Sequence, residues 1–570
     1  MTTNHPFAAV AKAVPAFGAA LRRHDADDLA GARAAYLDLI DQPDLAALCL
    51  HQLGLIAAAK GEPARAAALF RSAIRLDPGQ TLAYHNLHSS LDRMGDAAGA
   101  VAALIDLGCV LQNQGQHERA VPVYTQALAR DPLCYAAYVN LGTGLAWLGQ
   151  LPAATRHLLQ AAELYGRLVP EVGLFGRRLA SRLEGRIEGV AGATSLPPGN
   201  PTGAIEKIED ALTTLGNVLR KLNCAEEALA CHRQSLSVAP GFALGHWNLS
   251  LALLSAGNFL AGWKEYEWRW QWDRFPEPRR ILPAPLWRRE PLEGKRILVW
   301  GEQGYGDILQ FAPLVPRLAA QGAEVLFEVP TPLVRLLRQS LDGVRVIERP
   351  ANPHSLSVDM PLDFVLPQMS LPERLGLTPQ DLPLSATARL HPLPGDQQSW
   401  AKRLAAETRP KVGLVWAGRP EHAEDALRSM PFTLLRPLLA NRRVAWQSLQ
   451  IGPRAADLAQ AEPGSIGDLA PQIGDFADTA AAIANLDLVI AVDTATAHLA
   501  CGMGKPTWLL LPRVSDWRWS DEVVAGRWYP SLRIFRQAET GDWARLVDQV
   551  EAALAGVDFG RAESLEGTQA

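Results

Sequence analysis

The sequence predicts an all-helical repeat array followed by two α/β domains with parallel sheets. In the first half, Leu-Gly pairs and their equivalents recur every 34 residues, as from Leu53 to Leu87. From Lys295 onward, short runs of Val, Ile and Leu alternate with helical stretches, which is typical of parallel sheets covered on both faces. A Pro-rich connector over residues 390–410 separates two such stretches.

The composition is that of a globular protein with several domains. The 570 residues exceed the size of a single core, and 48% hydrophobic with 20% charged residues exclude wholesale disorder. The chain has 55 Lys and Arg residues and 60 Asp and Glu residues, which gives a net charge of -5. It therefore lacks the excess of basic residues that is typical of nucleic-acid-binding proteins.

Cysteine usage and the N-terminus point to a cytoplasmic protein. The six cysteines include no CxxC pair, so we expect buried thiols in a reducing compartment rather than disulfides or a zinc site. Only Lys12 precedes a weakly apolar stretch that Pro15 interrupts, so we expect no secretory signal. No later run has the length of a transmembrane helix.

The residue types of the repeat unit recur along with its spacing. The positions after Gly54 match those at the same offsets after Gly108, and the matching pairs are Ala66 and Ala120, Phe70 and Tyr124, Ala73 and Ala127, and Pro78 and Pro132. This pattern resembles the tetratricopeptide repeat, in which small residues let paired helices approach closely and Pro ends the second helix. Such arrays bind a protein or peptide on the concave face; the alternative is a structural stalk.

Two breaks interrupt the period. The spacing from His88 to Gly108 is 20 residues, which suggests a truncated or fused helix pair. The spacing from Gly142 to Gly216 is 74 residues, and its Gly-, Pro- and Ser-rich portion predicts a loop or hinge between two sub-arrays. The predicted boundaries are 14–180 for the first repeat array, 181–204 for a linker and 205–272 for a second repeat sub-array.

The second half contains two sets of predicted strands. The first set is 296–300, 324–329 and 344–348 with a crossover helix over 307–322, and the second set is 411–418, 443–450, 486–493 and 506–512. We predict Rossmann-like domains over 295–390 and 411–556, facing a shared cleft where ligands bind. GxGxxG follows neither first strand and GxxxxGK[ST] is absent, which disfavours a nicotinamide dehydrogenase and a P-loop enzyme.

Four segments carry a more specific resemblance. They are GWKEYEWRW (262–270), GEQGYGDILQF (301–311), DTATAHLACGMGKPTWLLLP (493–512) and DWRW (516–519). Together with the repeats they resemble bacterial proteins that join tetratricopeptide repeats to a glycosyltransferase family 9 domain, a family that includes the heptosyltransferases. The resemblance implies an α-solenoid followed by a GT-B fold of two Rossmann-like domains. It also implies inverting, metal-independent transfer of a sugar from a nucleotide-diphosphate donor to an acceptor hydroxyl, without a further cofactor.

Three residues form the predicted donor site. Asp493 ends a predicted strand and Thr494 begins the next helix, so a hydroxyl and free N–H groups point into the cleft as a diphosphate site. His498 lies one turn further on, where it can donate to a phosphate oxygen and stabilise the leaving nucleotide diphosphate. The alternatives are a plain N-terminal cap for Thr494 and a core histidine for His498.

Asp307 is the predicted catalytic residue of the first domain. It follows Gly304 and Gly306 in the loop after the first strand, where glycines let the backbone approach a ligand. The resemblance implies that Asp307 is the general base towards the acceptor hydroxyl. Because a helix start would lower its pKa, the alternative is a capping or acceptor-orienting residue.

Further candidates lie after the strands of the second domain. Arg428 and Ser429 stand where the resemblance implies a basic residue on the diphosphate, although the family members have Lys there. Gln450 ends a predicted strand and either contacts the base or ribose or is an ordinary strand-end residue. Tryptophans cluster over 263–272 and over 517–528; we expect the first cluster to pack between the repeats and the second half, whereas the role of the second stays open.

The competing functions differ in whether the second half is catalytic and in which acceptor it would use. The favoured one is a glycosyltransferase that binds a nucleotide sugar and uses its repeats to recruit a protein acceptor or partner. The alternatives are a non-catalytic repeat scaffold with a degenerate transferase domain and a sugar transferase acting on a glycolipid or lipopolysaccharide.

Overall fold

The protein folds as two compact units. The computed structural model describes residues 6–277, 279–352, 354–355, 360–386, 389–421, 425–519 and 526–559. The first unit is Met1–Gly245 and the second is His246–Ala570. Within the described residues, the helices lack the combination of length and apolar character that a bilayer-crossing helix requires.

The first unit consists of α-helices, which are joined by short turns except between α11 and α12. Its helices are α1 Ala8–Ala13, α2 Pro15–Asp25, α3 Leu29–Leu39, α4 Pro43–Ala59, α5 Pro63–Leu76, α6 Thr81–Arg93, α7 Ala97–Asn113, α8 His117–Arg130, α9 Tyr135–Trp147, α10 Leu151–Gly166, α11 Pro170–Leu183, α12 Ile208–Lys221 and α13 Ala225–Val238, and α14 Ala243–Ser255 spans the boundary to the second unit. Each helix from α1 to α10 packs against the next one, and α12 packs against α13.

The repeated glycines have the role that the pattern predicts. A methyl group on Gly54 of α4 would lie 2.6 Å from the Phe70 ring of α5, and one on Gly142 of α9 would lie 2.7 Å from Leu158 of α10. Both distances are too short for non-bonded carbon atoms, so only glycine lets these helices pack this closely. In these two repeats the glycine of the first helix thus packs directly against the bulky side chain of the second helix.

The first break in the period is a single shared helix. α7 packs against α6 on one side and against α8 on the other. His88 of α6 sits where other repeats have glycine, and its Nδ1 lies 3.0 Å from the Ala100 carbonyl oxygen of α7. α7 therefore serves as the second helix of one repeat and the first helix of the next, which is the fused pair that the short spacing suggests.

The second break is a loop, but it is not a hinge. The residues between α11 and α12 bury Ile187, Val190 and Ala193 in the same core as helices α8 to α13. Thr202 donates its N–H to the Leu133 carbonyl at 2.9 Å and accepts from the Tyr135 N–H at 3.1 Å. α10 also packs directly on α12, so the helices on either side of the loop form one continuous stack.

The second unit contains two parallel sheets. Its strands are β1 Arg296–Trp300, β2 Glu324–Val329, β3 Val344–Glu348, β4 Phe364–Pro367, β5 Lys411–Val415, β6 Ala445–Ser448, β7 Gly467–Asp468, β8 Leu488–Val492, β9 Thr507–Leu511 and β10 Leu532–Arg536. The first sheet has the order β3-β2-β1-β4, and the second has the order β10-β9-β8-β5-β6-β7. Every strand pair is parallel, as predicted, although the sequence did not indicate β4, β7 or β10.

Helices connect and cover these strands. They are α15 Phe259–Tyr266, α16 Tyr305–Phe311, α17 Pro316–Ala319, α18 Thr331–Ser340, α19 Leu371–Arg374, α20 Pro394–Leu404, α21 Asp425–Arg428, α22 Arg436–Ala440, α23 Phe476–Ala484, α24 Ala495–Gly502 and α25 Trp543–Ala555. The crossover helix predicted over 307–322 is divided into α16, a 3-10 turn and α17, because Pro313 and Pro316 lack the N–H that a continuous helix needs.

The segment that ends the repeat pattern belongs to the second unit. Phe259, Trp263 and Tyr266 are buried in the same core as β1 and α16. The Trp263 ring contacts the rings of Phe311 and Trp517 edge-on, with centroids 5.5 and 5.4 Å apart. The sequence placed residues 246–272 with the repeats, because their helical pattern continues the period, whereas their apolar face is covered by the sheet domain.

This packing predicts where the second unit can be cut. A fragment that begins at Pro283 loses Trp263 from the core and loses Arg269, the partner of the fully buried Glu302. Because an unpaired buried charge costs about 3–5 kcal/mol, we expect this fragment to aggregate or to unfold without a cooperative transition. A fragment that begins at Pro240 keeps both residues and should unfold cooperatively. Thermal unfolding followed by circular dichroism compares the two, and equal stability would contradict the assignment of residues 246–282 to this unit.

Candidate functional site

Two helix starts from the two sheets pack against each other. α16 follows β1 and α24 follows β8, and the two helices are in contact. A methyl group on Gly306 of α16 would lie 2.9 Å from His498 Cδ2 and 3.6 Å from Ala495 Cα, so only glycine allows this approach. Residues that the sequence placed in two separate domains therefore meet at one site.

Asp307 has both carboxylate oxygens engaged. Oδ2 accepts the Gly304 N–H at 2.9 Å, which caps the first turn of α16. Oδ1 accepts from the Arg518 guanidinium of the second sheet domain. The capping alternative is thus present in the structure, and each oxygen of Asp307 already accepts one hydrogen bond.

Arg518 is the residue that sequence reasoning missed. Its Nε donates to Gln310 Oε1 at 2.5 Å and its Nη1 donates to Asp516 Oδ1 at 2.8 Å, while its guanidinium lies 4.4 Å from the centre of the Trp517 ring. Although burial opposes its charge, the carboxylates of Asp516 and Asp307 raise the pKa of Arg518 further. The DWRW segment draws attention to its tryptophans, whereas its arginine makes the contact with Asp307.

Asp493 and Thr494 join β8 to α24. Thr494 caps the helix, since its Oγ1 accepts the Ala497 N–H at 3.4 Å and donates to the Val492 carbonyl at 3.1 Å. Burial, with a contribution from Asp516, raises the pKa of Asp493 to about 6, while Arg428 and Arg518 oppose this shift. The carboxyl group therefore takes up a proton at a pH only slightly below neutral.

His498 is a buried and neutral histidine. Its Nδ1 lies 3.0 Å from Tyr529 Oη, and its ring stacks on Trp519 with centroids 5.2 Å apart. Its Nε2 lies 3.7 Å from Asp493 Oδ1, beyond hydrogen-bonding distance. Burial and the charge of Arg518 lower the pKa of His498 to about 3, so the ring can donate one hydrogen bond but carries no charge at neutral pH.

Arg428 and Ser429 share one carboxylate. Arg428 Nε and Ser429 Oγ donate to Asp425 Oδ1 at 3.3 and 3.0 Å. The Ser429 hydroxyl also accepts the Gly418 N–H at 2.9 Å, which fixes the loop after β5. The charge of Arg428 lowers the pKa values of both Asp493 and His498.

Gln450 supports the loop after β5. Its Oε1 accepts the N–H groups of Trp416 and Ala417 at 3.1 and 3.0 Å, and its Nε2 donates to the carbonyls of Ala417 and Ile451. Because backbone partners occupy the buried amide, we assign Gln450 to the support of this loop rather than to a base or ribose. This is the ordinary strand-end role that the sequence left open.

A pocket of about 420 Å³ opens at the carboxyl ends of β1, β2 and β3. It is lined by Gln303, Gly304, Tyr305, Pro330, Thr331, Pro332, Arg349, Pro350 and Arg419. The charged residues of this lining are the two arginines, and Gly304 places the pocket beside the first turn of α16. Nowhere in the described part of the chain do three His, Cys, Asp or Glu side chains group as a metal site would require.

Comparisons with known proteins identify the helical array. Family models described as tetratricopeptide repeat match residues 47–80 and 105–169. The chain contains tetratricopeptide repeats. The protein FlbA of Caulobacter vibrioides is 26% identical over 505 residues, which cover 85% of this chain and 77% of FlbA. The likeness to FlbA thus extends beyond the tetratricopeptide repeats into the second unit.

Similar solved structures cover either part of the chain. The Escherichia coli ADP-heptose lipopolysaccharide heptosyltransferase II is 16% identical, with a TM-score of 0.34 over 45% of this chain and 98% of that protein. A glycosyl transferase family 9 protein of Veillonella parvula is 11% identical, with a TM-score of 0.33 over 47% of this chain and 91% of that protein. MamA is 16% identical, with a TM-score of 0.22 over 38% and 91%.

The raised pKa of Asp493 predicts a pH-dependent stability. The folded protein holds this proton up to a pH of about 6 and the unfolded chain only up to about 4, so the contribution of Asp493 to stability falls as the pH rises between these values. Asp493→Asn should remove this fall and gain up to about 3 kcal/mol relative to the wild type between pH 4 and pH 7. The lowered pKa of His498 makes stability rise with pH. This contribution is present in the wild type and in the variant, so it largely cancels when the two stabilities are subtracted.

Chemical denaturation of the ligand-free chain at several pH values measures this difference. Asp548→Asn, on the exposed side of α25, is the matched control and should follow the wild-type profile. Parallel profiles for Asp493→Asn and the wild type would show that the carboxyl group is not held protonated.

Proposed function

We propose that the protein is a glycosyltransferase that moves a sugar from a nucleotide-diphosphate donor to an acceptor hydroxyl, with inversion and without a metal ion. The observation that carries the proposal is the contact between α16 and α24, which brings Asp307 to Asp493, Thr494 and His498. These are the segments that resemble glycosyltransferase family 9. The tetratricopeptide repeats would recruit a protein acceptor or partner.

The charges around the start of α24 suit an anionic donor. The charges of Arg428 and Arg518 both lower the pKa of Asp493, against the effect of its burial. Two guanidinium groups and the free N–H groups of a helix start can bind a diphosphate and stabilise the charge that develops on it when the sugar leaves. The neutral His498 would add one hydrogen-bond donor.

The acceptor would enter the pocket beside α16. Its lining meets the Asp307 turn at Gly304, so a hydroxyl bound there comes close to the carboxylate. Arg518 donates a hydrogen bond to Asp307 Oδ1. We infer that donor phosphates compete for Arg518 and so free Asp307 to accept the proton of the acceptor hydroxyl.

A non-catalytic scaffold is the second candidate function. The observation in its favour is that Asp307 caps α16 and pairs with Arg518, so that both oxygens already have a structural partner. In that case the cleft would bind a nucleotide without turnover and the tetratricopeptide repeats would carry the function.

Donor binding tests both candidate functions in the full-length chain. We expect calorimetric titration with ADP, GDP, UDP and CDP to find at least one ligand. Arg428→Ala and Arg518→Ala should each weaken its binding about tenfold or more, because each removes a charge-assisted hydrogen bond to phosphate. Arg442→Ala, an exposed arginine of the same sheet domain, is the matched control and should leave the affinity unchanged. Failure of all four nucleotides, or tighter binding of a nucleoside monophosphate, would contradict the diphosphate donor.

Asp307→Asn separates enzyme from scaffold. Asparagine keeps the size of the side chain and can still cap α16, but it cannot accept the proton. With a donor identified, we expect transfer to fall by roughly two to four orders of magnitude while donor affinity stays within a few-fold of the wild type. Single-turnover assays on folded wild-type and variant protein measure this. Near-equal rates would eliminate Asp307 as the base, and no transfer by the wild type would favour the scaffold.

A further inference from the structure

The turn between β1 and α16 is held at each of its four residues. The Gly301 carbonyl accepts from Arg349, and the Gly304 N–H donates to Asp307 Oδ2. The two residues between them, Glu302 and Gln303, are bound by side chains from the last residue of α15 and from the segment between α15 and β1. This turn therefore depends on a part of the chain that lies outside both sheets.

Glu302 fixes the first half of the turn. Its Oε1 and Oε2 accept from Arg269 Nη2 and Nε at 2.8 and 3.1 Å, and its Oε1 also accepts the Met369 N–H at 2.8 Å. Glu302 and Arg269 are both fully buried. The backbone entering the turn therefore has little freedom.

Gln303 fixes the second half. Its φ of 63° lies in the left-handed region, which costs a residue other than glycine about 1 kcal/mol or more. Its N–H donates to Glu277 Oε1 at 2.6 Å, and its side-chain Nε2 donates to Tyr266 Oη at 2.6 Å. Both hydrogen bonds therefore stabilise the one residue whose unfavourable conformation sets the direction of Gly304 and the first turn of α16.

We propose that Tyr266 and Glu277 are positioning residues that hold Gln303 in this conformation and thereby place Asp307 against Arg518 and the start of α24. A return of Gln303 to a negative φ would redirect Gly304 and carry Asp307 away from Arg518. The catalytic consequence rests on the proposed function, whereas the effect on the turn does not. Tyr266 and Glu277 would thus contribute to the geometry of the site, although they lie outside both sheets.

Three variants of the full-length chain test the proposal. Tyr266→Phe removes only the hydroxyl, and Glu277→Ala removes the acceptor of the Gln303 N–H. Glu277→Gln is the conservative variant, because its amide oxygen can accept the same N–H. Glu324→Gln is the matched control, since it removes a surface ion pair with Arg296 at the opposite end of the same sheet.

Hydrogen–deuterium exchange of residues 301–311 is the first readout. We expect several-fold faster exchange in Tyr266→Phe and Glu277→Ala, with Glu277→Gln and Glu324→Gln near the wild type. With the donor nucleotide found by titration, we expect unchanged affinity in all four variants. Turnover should show a kcat about ten- to a hundredfold lower in the first two variants and a KM for the donor that stays the same.

The outcomes separate this proposal from the proposed function. Unchanged exchange of residues 301–311 in Tyr266→Phe and Glu277→Ala would overturn it. Faster exchange throughout the second unit, together with loss of donor affinity, would also overturn it, because the residues would then support the fold as a whole. If the wild type binds and turns over no nucleotide sugar, the proposed function fails and the exchange of residues 301–311 still decides whether the two residues hold the turn.

Discussion

The second unit depends on one buried ion pair, Arg269 with Glu302. Both side chains are fully buried, and burial raises the pKa of Glu302 to about 7 against the opposing effect of Arg269. Two buried charges are tolerated only when they are paired and their remaining polar atoms are bonded, which Met369, Ser370 and the Tyr266 carbonyl achieve here. Loss of Arg269 leaves the Glu302 carboxylate unpaired in the core, whereas Arg269 has Glu267 as a second partner. The end of β1 and the segment after the repeats can therefore form only together.

From this pair a series of contacts leads to the candidate site. Glu302 sets the start of the turn, Gln303 adopts its left-handed conformation next to it, and α16 begins directly afterwards. Asp307 then binds Arg518, which joins the turn of the first sheet to the second sheet. Each step fixes the direction of the next, so a distant ion pair contributes to the geometry at Asp307.

The sequence predicts those features that depend on neighbouring residues. Buried strands such as β8 are continuous apolar runs, and the repeat glycines keep a constant distance from their bulky partners. β7 has two residues and β4 ends in proline, so neither produces a recognisable run. Thr494 was predicted because it directly follows a strand, and Asp307 because it lies in the glycine-containing loop after the first strand, where the resemblance implies a base. The Arg518–Asp307 pair joins residues 211 positions apart, and no local pattern encodes such a contact.

Under the proposed function, the charges of the candidate site would couple diphosphate binding to a proton. Arg428 and Arg518 face four carboxyl groups, those of Asp307, Asp425, Asp493 and Asp516. If all four were ionised, two guanidinium groups would leave the site negative, and a diphosphate would be repelled. Asp493 is the carboxyl group whose pKa is raised to about 6, and a bound diphosphate would raise it further, because the protonated form avoids like charge. Proton uptake at Asp493 would therefore remove one negative charge at the start of α24 and weaken the repulsion of the phosphates.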